Sequence, residues 1–393
     1  MSASSTLPAF PLTDSARQAI ALGRQLQCEV IETLADLDAL APSWNQLCQL
    51  STGSPFQTFG WNRAWYEGYA SSYDQMLVFV LKRENSTVAI LPAYRKGGAV
   101  RMAADHIGDL QDVICADNDA ATAVVQSALT WTRKHRCRMV FDQVPETGRL
   151  YKVLQALCPD RDHILRFQKH YATCMITELP ESLDAHLQTM PRKRRQNLKR
   201  HLNKMEREHP EAEYSFHGTD SITEEMLDEI SAFHLKHFNK DGNSLFTSDQ
   251  FLNHLKAVAK DQDSGLEISF LRLNGEILAV HVGLVFNRIY HGFLTAYDMN
   301  YRNLSPGFCL VLRGIDHYLQ TGKIQTLDFL LGTERYKEQF TNANYKVGRF
   351  QILPWGPMKL VRWGFLHAEE YARIQSKRIL RKAGTMQPAE AGE

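Results

Sequence analysis

Apolar residues along this chain recur in two rhythms, and the switches between them mark its elements. Runs rich in Val, Ile, Phe and Tyr occupy Glu267–Leu273, Ile277–Phe286 and Ile289–Tyr297; their length and β-branched content predict strands. Asn274-Gly275 separates the first two and Asn287-Arg288 the next two. A hairpin running on into a third strand is expected, because Asn-Gly is a strong two-residue turn signal. After Asp298–Gly307 the spacing turns helical, with Leu310, Val311, Ile315, Tyr318 and Leu319 across Phe308–Gln320. Ser305 and Pro306 read as N-cap and first-turn proline. Ile324–Leu331 is a strand again, Glu334–Phe340 a short helix, and Tyr345–Leu353 a closing strand.

The same order stands earlier in the chain. After a strand at Cys28–Thr33 and helices at Asp36–Leu50 and Thr58–Tyr69, Met76–Lys82 and Thr87–Tyr94 form a hairpin about Glu84–Ser86. Val100–Ala103, the acidic loop Asp105–Asp119, the helix Ala120–His135 and the strand Cys137–Phe141 follow. Hairpin, strand, helix, strand thus occurs twice, which predicts an internal structural repeat without sequence identity. Between the copies come a strand at Cys174–Leu179, a long helix Ser182–Glu208 interrupted at Pro191, a strand Glu211–His217, and helices Ile222–His237 and Ser248–Lys260. The expected division is a mobile leader (1–27), a first domain (28–170), a second (171–357) and a basic helical tail (358–393). The boundary is expected near Arg161–Tyr171, and two separate mixed sheets flanked by helices are predicted, an α/β (α+β) fold.

Composition narrows the classes. In 393 residues, 44% are hydrophobic and 23% charged, ordinary for a globular protein of about two domains. The net charge of +1 implies no global attraction to nucleic acid or membrane, so any basic surface is local. Seven scattered cysteines without Cys-x-x-Cys fit reduced thiols in a cytoplasmic protein. No stretch reaches membrane-spanning length. Phosphate-loop, dinucleotide, nucleophile-elbow and zinc signatures are all missing.

Several constellations carry chemistry. A helix start just after a strand presents free N–H groups and a positive dipole end, which suits phosphate; here that start lies at Ser305–Phe308. Asp328 sits among Leu327, Phe329, Leu330 and Leu331. A carboxylate there is costly unless paired or facing a cleft, so it is read as a general base or an orienter of the nucleophile, against a plain salt bridge. His281, in another apolar strand, is a second candidate base, against a structural histidine. Arg192–Glu208 holds eight basic residues against Glu206 and Glu208; Arg195 and Lys199 share one helical face, and the density points to an anionic partner rather than a merely solvated face. Asp105, His106, Asp109 and Asp112 have no regular metal-ligand spacing, and an exposed or acceptor-binding loop is expected. Trp61, Trp65, Tyr66 and Tyr69 could line a sugar site, although such a stripe more often belongs to a core.

The order of elements around Arg302-Asn-Leu-Ser305-Pro-Gly307 resembles the core of the GNAT acyltransferases, whose loop motif is Gln/Arg-x-x-Gly-x-Gly/Ala. The first and last positions match; Ser305 replaces the middle glycine and Pro306 lacks an N–H. Together with Asp328-Phe-Leu-Leu-Gly332, Tyr336-Lys337 and the basic helix upstream, the chain resembles the CelD-like acetyltransferases of cellulose and exopolysaccharide biosynthesis, similar in turn to the Fem-type peptidyltransferases with tandem GNAT-like domains. The resemblance implies an acyl-coenzyme A co-substrate (acetyl expected) bound at Arg302, Ser305, Gly307 and Phe308. It implies Tyr336 as the acid that protonates the leaving thiolate. Lys337, as a point charge for phosphate, Arg195, Lys199 and Tyr297 are the implied substrate contacts. The implied acceptor is a small or sugar-type amine or hydroxyl. Aminoacyl transfer from charged tRNA and an idle scaffold subunit remain as alternatives, with the basic tail as a contact to a membrane or polysaccharide-synthesis complex.

Overall fold

The computed structural model describes residues 26–51, 53–157, 163–238 and 244–354; the expected basic tail, and all but the last two residues of the leader, lie outside them. The first half runs β1 (Leu26–Ile31), α1 (Leu34–Ala39), α2 (Ala41–Leu50), α3 (Phe59–Gly68), β2 (Gln75–Arg83), β3 (Ser86–Lys96), β4 (Ala99–Met102), β5 (Ile114–Cys115), α4 (Asn118–Lys134), β6 (Arg138–Pro145) and α5 (Arg149–Ala156). The second runs β7 (His163–Glu178), α6 (Leu183–Gln188), α7 (Arg192–Glu208), β8 (Glu213–Gly218), α8 (Glu224–Phe238), α9 (Asp249–Ala259), β9 (Leu266–Leu273), β10 (Glu276–Phe286), β11 (Ile289–Tyr297), α10 (Pro306–Thr321), β12 (Thr326–Leu331) and β13 (Ala343–Pro354).

Local sequence explains most of these boundaries. Asp117 accepts the Ala120 N–H at 2.7 Å and starts α4; Ser248 does the same for α9 through Gln250. Three two-residue turns, Glu84-Asn85, Asn274-Gly275 and Asn287-Arg288, have positive φ at both positions, the twist that suits a tight hairpin. Pro191 splits the expected long helix into α6 and α7. The expected helix at Glu334–Phe340 is only a 3-10 turn at Lys337–Gln339.

The strands form one continuous mixed sheet in the order β1-β2-β3-β4-β6-β13-β7-β12-β11-β10-β9-β8, with β5 on β3. This differs from the two sheets predicted. The repeat is nevertheless present. In the first half α4 carries the chain from β4 to β6, which pair in parallel; in the second α10 does so from β11 to β12, again in parallel. The strand that follows each repeat then pairs into the other: β7, which comes after β6 and α5, pairs with β12, and β13, which comes after β12, pairs with β6. The two exchanged strands pair with each other from Ala343↔Ile176 to Pro354↔His163 and close the sheet. Much of the segment expected as a boundary therefore lies inside β7.

One face of the sheet carries a core shared by both halves, from Trp44, Phe56, Trp61 and Trp65 through Phe251 and Phe270 to Leu330 and Tyr345. The other face carries separate cores, one under α4 and α5, the others under α10, α6 and α7. The aromatic stripe of α3 is core: Trp61, Trp65 and Tyr66 are 0% exposed. Removing one such side chain costs roughly 3–5 kcal/mol.

Candidate active site

Parallel pairing of β11 with β12 lasts only from Ile289↔Thr326 to His291↔Asp328, and beyond it the strands part. Both carry an extra residue at that point. In β11, Phe293 is skipped between the pairs Gly283↔Gly292 and Val282↔Leu294. In β12 the register with β7 jumps between Asp328 and Leu331, with Leu330 at φ 53°. Bulges bend a strand and re-aim its side chains, and here the result is an opening in mid-sheet. A cavity of about 230 Å³ occupies it, reached by α10 from one side and by Asp109 and His234 from the other.

Beside it runs a groove of about 190 Å³ lined by Tyr297, Arg302, Ser305, Pro306, Gly307 and Phe308. His281, Thr295 and Tyr336 line both spaces. The residues expected at a donor site are thus brought to one groove, with Tyr336 and His281 where it meets the cavity. Ser305 holds the N-cap position of α10 in a left-handed conformation, but its side chain makes no capping bond. Cys309 is the first residue of the turn whose N–H returns to Ser305. The N–H groups of Gly307 and Phe308 are left for a ligand, and Arg302, exposed and without an ion pair among the described residues, lines the same groove. That donor set fits a phosphate.

Asp328 is 5% exposed. One carboxylate oxygen accepts the Leu330 N–H at 2.8 Å, the other the Tyr345 hydroxyl at 2.5 Å. Burial pushes its pKa up, against the pull of His291, Tyr345, the Leu330 N–H and Lys337. Asp109 reaches the same cavity from the first half. Burial raises its carboxyl to about 6, opposed by Lys337 and the Leu331 N–H, with Asp328 and Glu334 adding to the rise. Its neighbours in the acidic loop serve the fold. Asp105 takes Arg101 at 2.6 Å and the Tyr94 hydroxyl at 2.8 Å; Asp112 takes the N–H groups of Val113, Arg149 and Leu150.

Tyr336 is half-buried against Phe329. Burial raises its pKa, so the phenol stays protonated at neutral pH and can donate. Burial lowers His281 to about 4 and keeps it neutral. Lys337 departs from the expectation of a phosphate contact. It is 5% exposed, and its ammonium donates to the Leu331 carbonyl at 2.7 Å and pairs with Glu334 at 2.9 Å. Arg195 and Lys199 line neither space; Lys199 pairs with Asp184 of α6 at 2.8 Å. On the same helix, Lys204 donates to the Asn303 carbonyl at 3.1 Å, tying α7 to the turn that carries Arg302.

Sequence reading did not single out Asp109 as a site residue, nor His291 and Tyr345 at all. The signal for Asp109 was its place in an acidic loop between strands. Tyr345 carried none, since its partner lies 17 residues back on a strand that is not its neighbour in the sheet.

Residues 192–338 match the family model described as an acetyltransferase (GNAT) domain, Acetyltransf_6. The matched span begins with α7 and ends just past Tyr336, so it contains the groove but neither Asp109 nor Tyr345. Among solved structures, FemX aligns over 83% of this chain and 96% of its own, with a TM-score of 0.57 and 12% identity. The C-terminal domain (DUF2156) of a putative lysylphosphatidylglycerol synthetase from Agrobacterium fabrum aligns over 84% and 96%, at 0.56 and 13%. L-PGS from Bacillus licheniformis aligns over 82% and 93%, at 0.53 and 13%. At such identities the likeness is one of fold. No curated protein matches the sequence significantly. The fold is GNAT-like, a mixed sheet flanked by helices.

Proposed function

We propose that this protein is an acyltransferase that moves an acyl group from acyl-coenzyme A to an amine or hydroxyl acceptor. The observation that carries the reading is the meeting of the α10 groove with the mid-sheet cavity at Tyr336 and His281. A pyrophosphate at the N–H groups of Gly307 and Phe308, with Arg302 alongside, directs the donor's thioester toward that junction. The acceptor enters from the Asp109 side. Its nitrogen or oxygen bonds to the thioester carbon, the carbon–sulfur bond breaks, and the sulfur takes the Tyr336 phenol proton. The acceptor's proton passes to Asp109, whose carboxyl near 6 is matched to neutral pH. Asp328, with both oxygens already accepting from the protein, orients β12 and the junction instead. By resemblance to the CelD-like family, the acceptor is an amino sugar or related precursor of a surface polysaccharide.

A second reading, aminoacyl transfer from charged tRNA, draws support from the bond between Lys204 and Asn303, which places the basic helix next to the groove. FemX and L-PGS share the fold. The two readings separate in a thermal-shift panel, since a ligand that prefers the folded state raises its melting temperature. Coenzyme A species should do so at any moderate salt. Stabilisation by tRNA alone, weakening steeply with salt, would favour the second reading.

A further inference from the structure

The cavity at the sheet opening has two ends of different chemistry. Asp109, Glu334 and Lys337 line the charged one; the apolar one is lined by Val311, Ile315 and Tyr318 of α10 with Leu327 and Phe329 of β12, which belong to one apolar cluster. Two glycines belong to this apolar wall, Gly292 in β11 and Gly314 in α10. Neither has a positive φ. A Cβ at Gly292 would meet nothing nearer than 3.7 Å, the Asp328 carbonyl and the Tyr290 ring; at Gly314, nothing nearer than 3.8 Å. Neither backbone conformation nor crowding calls for glycine there, while glycine weakens the interior of a strand or a helix. What the two positions share is a place in the cavity lining where a side chain would fit at ordinary contact distance.

The cavity is large for a small acyl group. An apolar cavity of about 150 Å³ accommodates benzene, and the space here is about 230 Å³ including its polar end. An acetyl group, two carbons, would fill only a small part of that volume. We propose that the apolar end takes the hydrocarbon part of an aliphatic acyl group of roughly six to eight carbons, so that the donor carries a medium-length chain rather than acetyl. The inference rests on the acyl-coenzyme A reading. It assigns Gly292 and Gly314 as the positions that set chain length.

The experiment is calorimetric titration of the whole protein with free coenzyme A and its acetyl, hexanoyl, octanoyl and palmitoyl thioesters. Affinity should rise from acetyl to hexanoyl, by up to about fourfold per methylene, and stop rising beyond octanoyl. In Gly292→Val, whose new Cβ meets the Tyr290 ring and the Asp328 carbonyl at 3.7 Å, the hexanoyl-to-acetyl ratio should fall toward one. Gly314→Ala, the milder change, should lower it less while raising the melting temperature; melting curves verify that both variants fold. Equal affinity for all thioesters, or a length preference that survives Gly292→Val, would overturn the inference and leave the donor reading standing. Binding of no coenzyme A species would overturn the donor reading, and this inference with it.

Discussion

Tyr336 and Asp109 are the two side chains on which the proposed chemistry turns, and each has a distinct signature. Tyr336→Phe removes one hydroxyl that makes no bond among the described residues. Turnover should drop about 10²–10⁴-fold, with the melting temperature nearly unchanged, when both are measured on one preparation. Asp109 predicts a pH effect. As a base it works deprotonated, so the rate should rise as pH passes through about 6, and Asp109→Asn should lack that rise. Its stability effect has the opposite direction. A carboxyl raised by burial stabilises the fold while protonated, and that contribution is lost between its ordinary 3.8 and about 6. The melting temperature of Asp109→Asn relative to wild type should therefore climb across that window. Asp328 was legible because a carboxylate in an apolar strand needs a reason. The burial of Lys337 was not legible, because its ammonium turns back to the Leu331 carbonyl beside the β12 bulge, and no sequence rhythm reports a bulge.

At the level of elements, turn chemistry carried most of the information. The turns at Asn274-Gly275 and Asn287-Arg288 stand where they were expected, and the one expected at Glu84–Ser86 is Glu84-Asn85, with Ser86 already in β3. The helix expected at Glu334–Phe340 has good helix formers but only seven residues, too few to hold a helix without tertiary support; Lys337 instead turns back to the Leu331 carbonyl. The start of α10 was legible from Ser305-Pro306, and it makes a prediction of opposite signs. Ser305→Asp puts a negative charge at the positive end of the helix, worth about 0.3–1 kcal/mol to stability, in a left-handed conformation that Asp tolerates. Melting temperature should hold or rise while coenzyme A affinity falls at least tenfold. A variant that binds coenzyme A as tightly as wild type would remove the phosphate from this helix end.

Across the whole molecule, the repeat could be read but the exchange of strands could not. Hairpin, strand, helix and strand are local patterns, whereas the choice of β12 by β7, and of β6 by β13, is a pairing between distant segments. The same exchange brings Tyr345 of β13 to Asp328 of β12. A chain ending at residue 342 should therefore lose more than the second half. Without β13, strand β6 keeps β4 at Arg138–Val140 but loses its antiparallel partner from Met139 to Pro145, and Phe350 leaves the core under α4. Limited proteolysis should cut the first half as readily as the second, and a protected fragment covering 26–157 would contradict the continuous sheet. The central claim, that the α10 groove delivers an acyl thioester to Tyr336, is tested most directly by thiol release. Hexanoyl- and acetyl-coenzyme A are incubated with a panel of amine and amino-sugar acceptors, and free coenzyme A is followed for wild type and Tyr336→Phe. The account predicts acceptor-dependent thiol release that falls at least a hundredfold in Tyr336→Phe while thioester affinity persists; equal release by the two proteins, or thioester binding with no acceptor-dependent release, would contradict it.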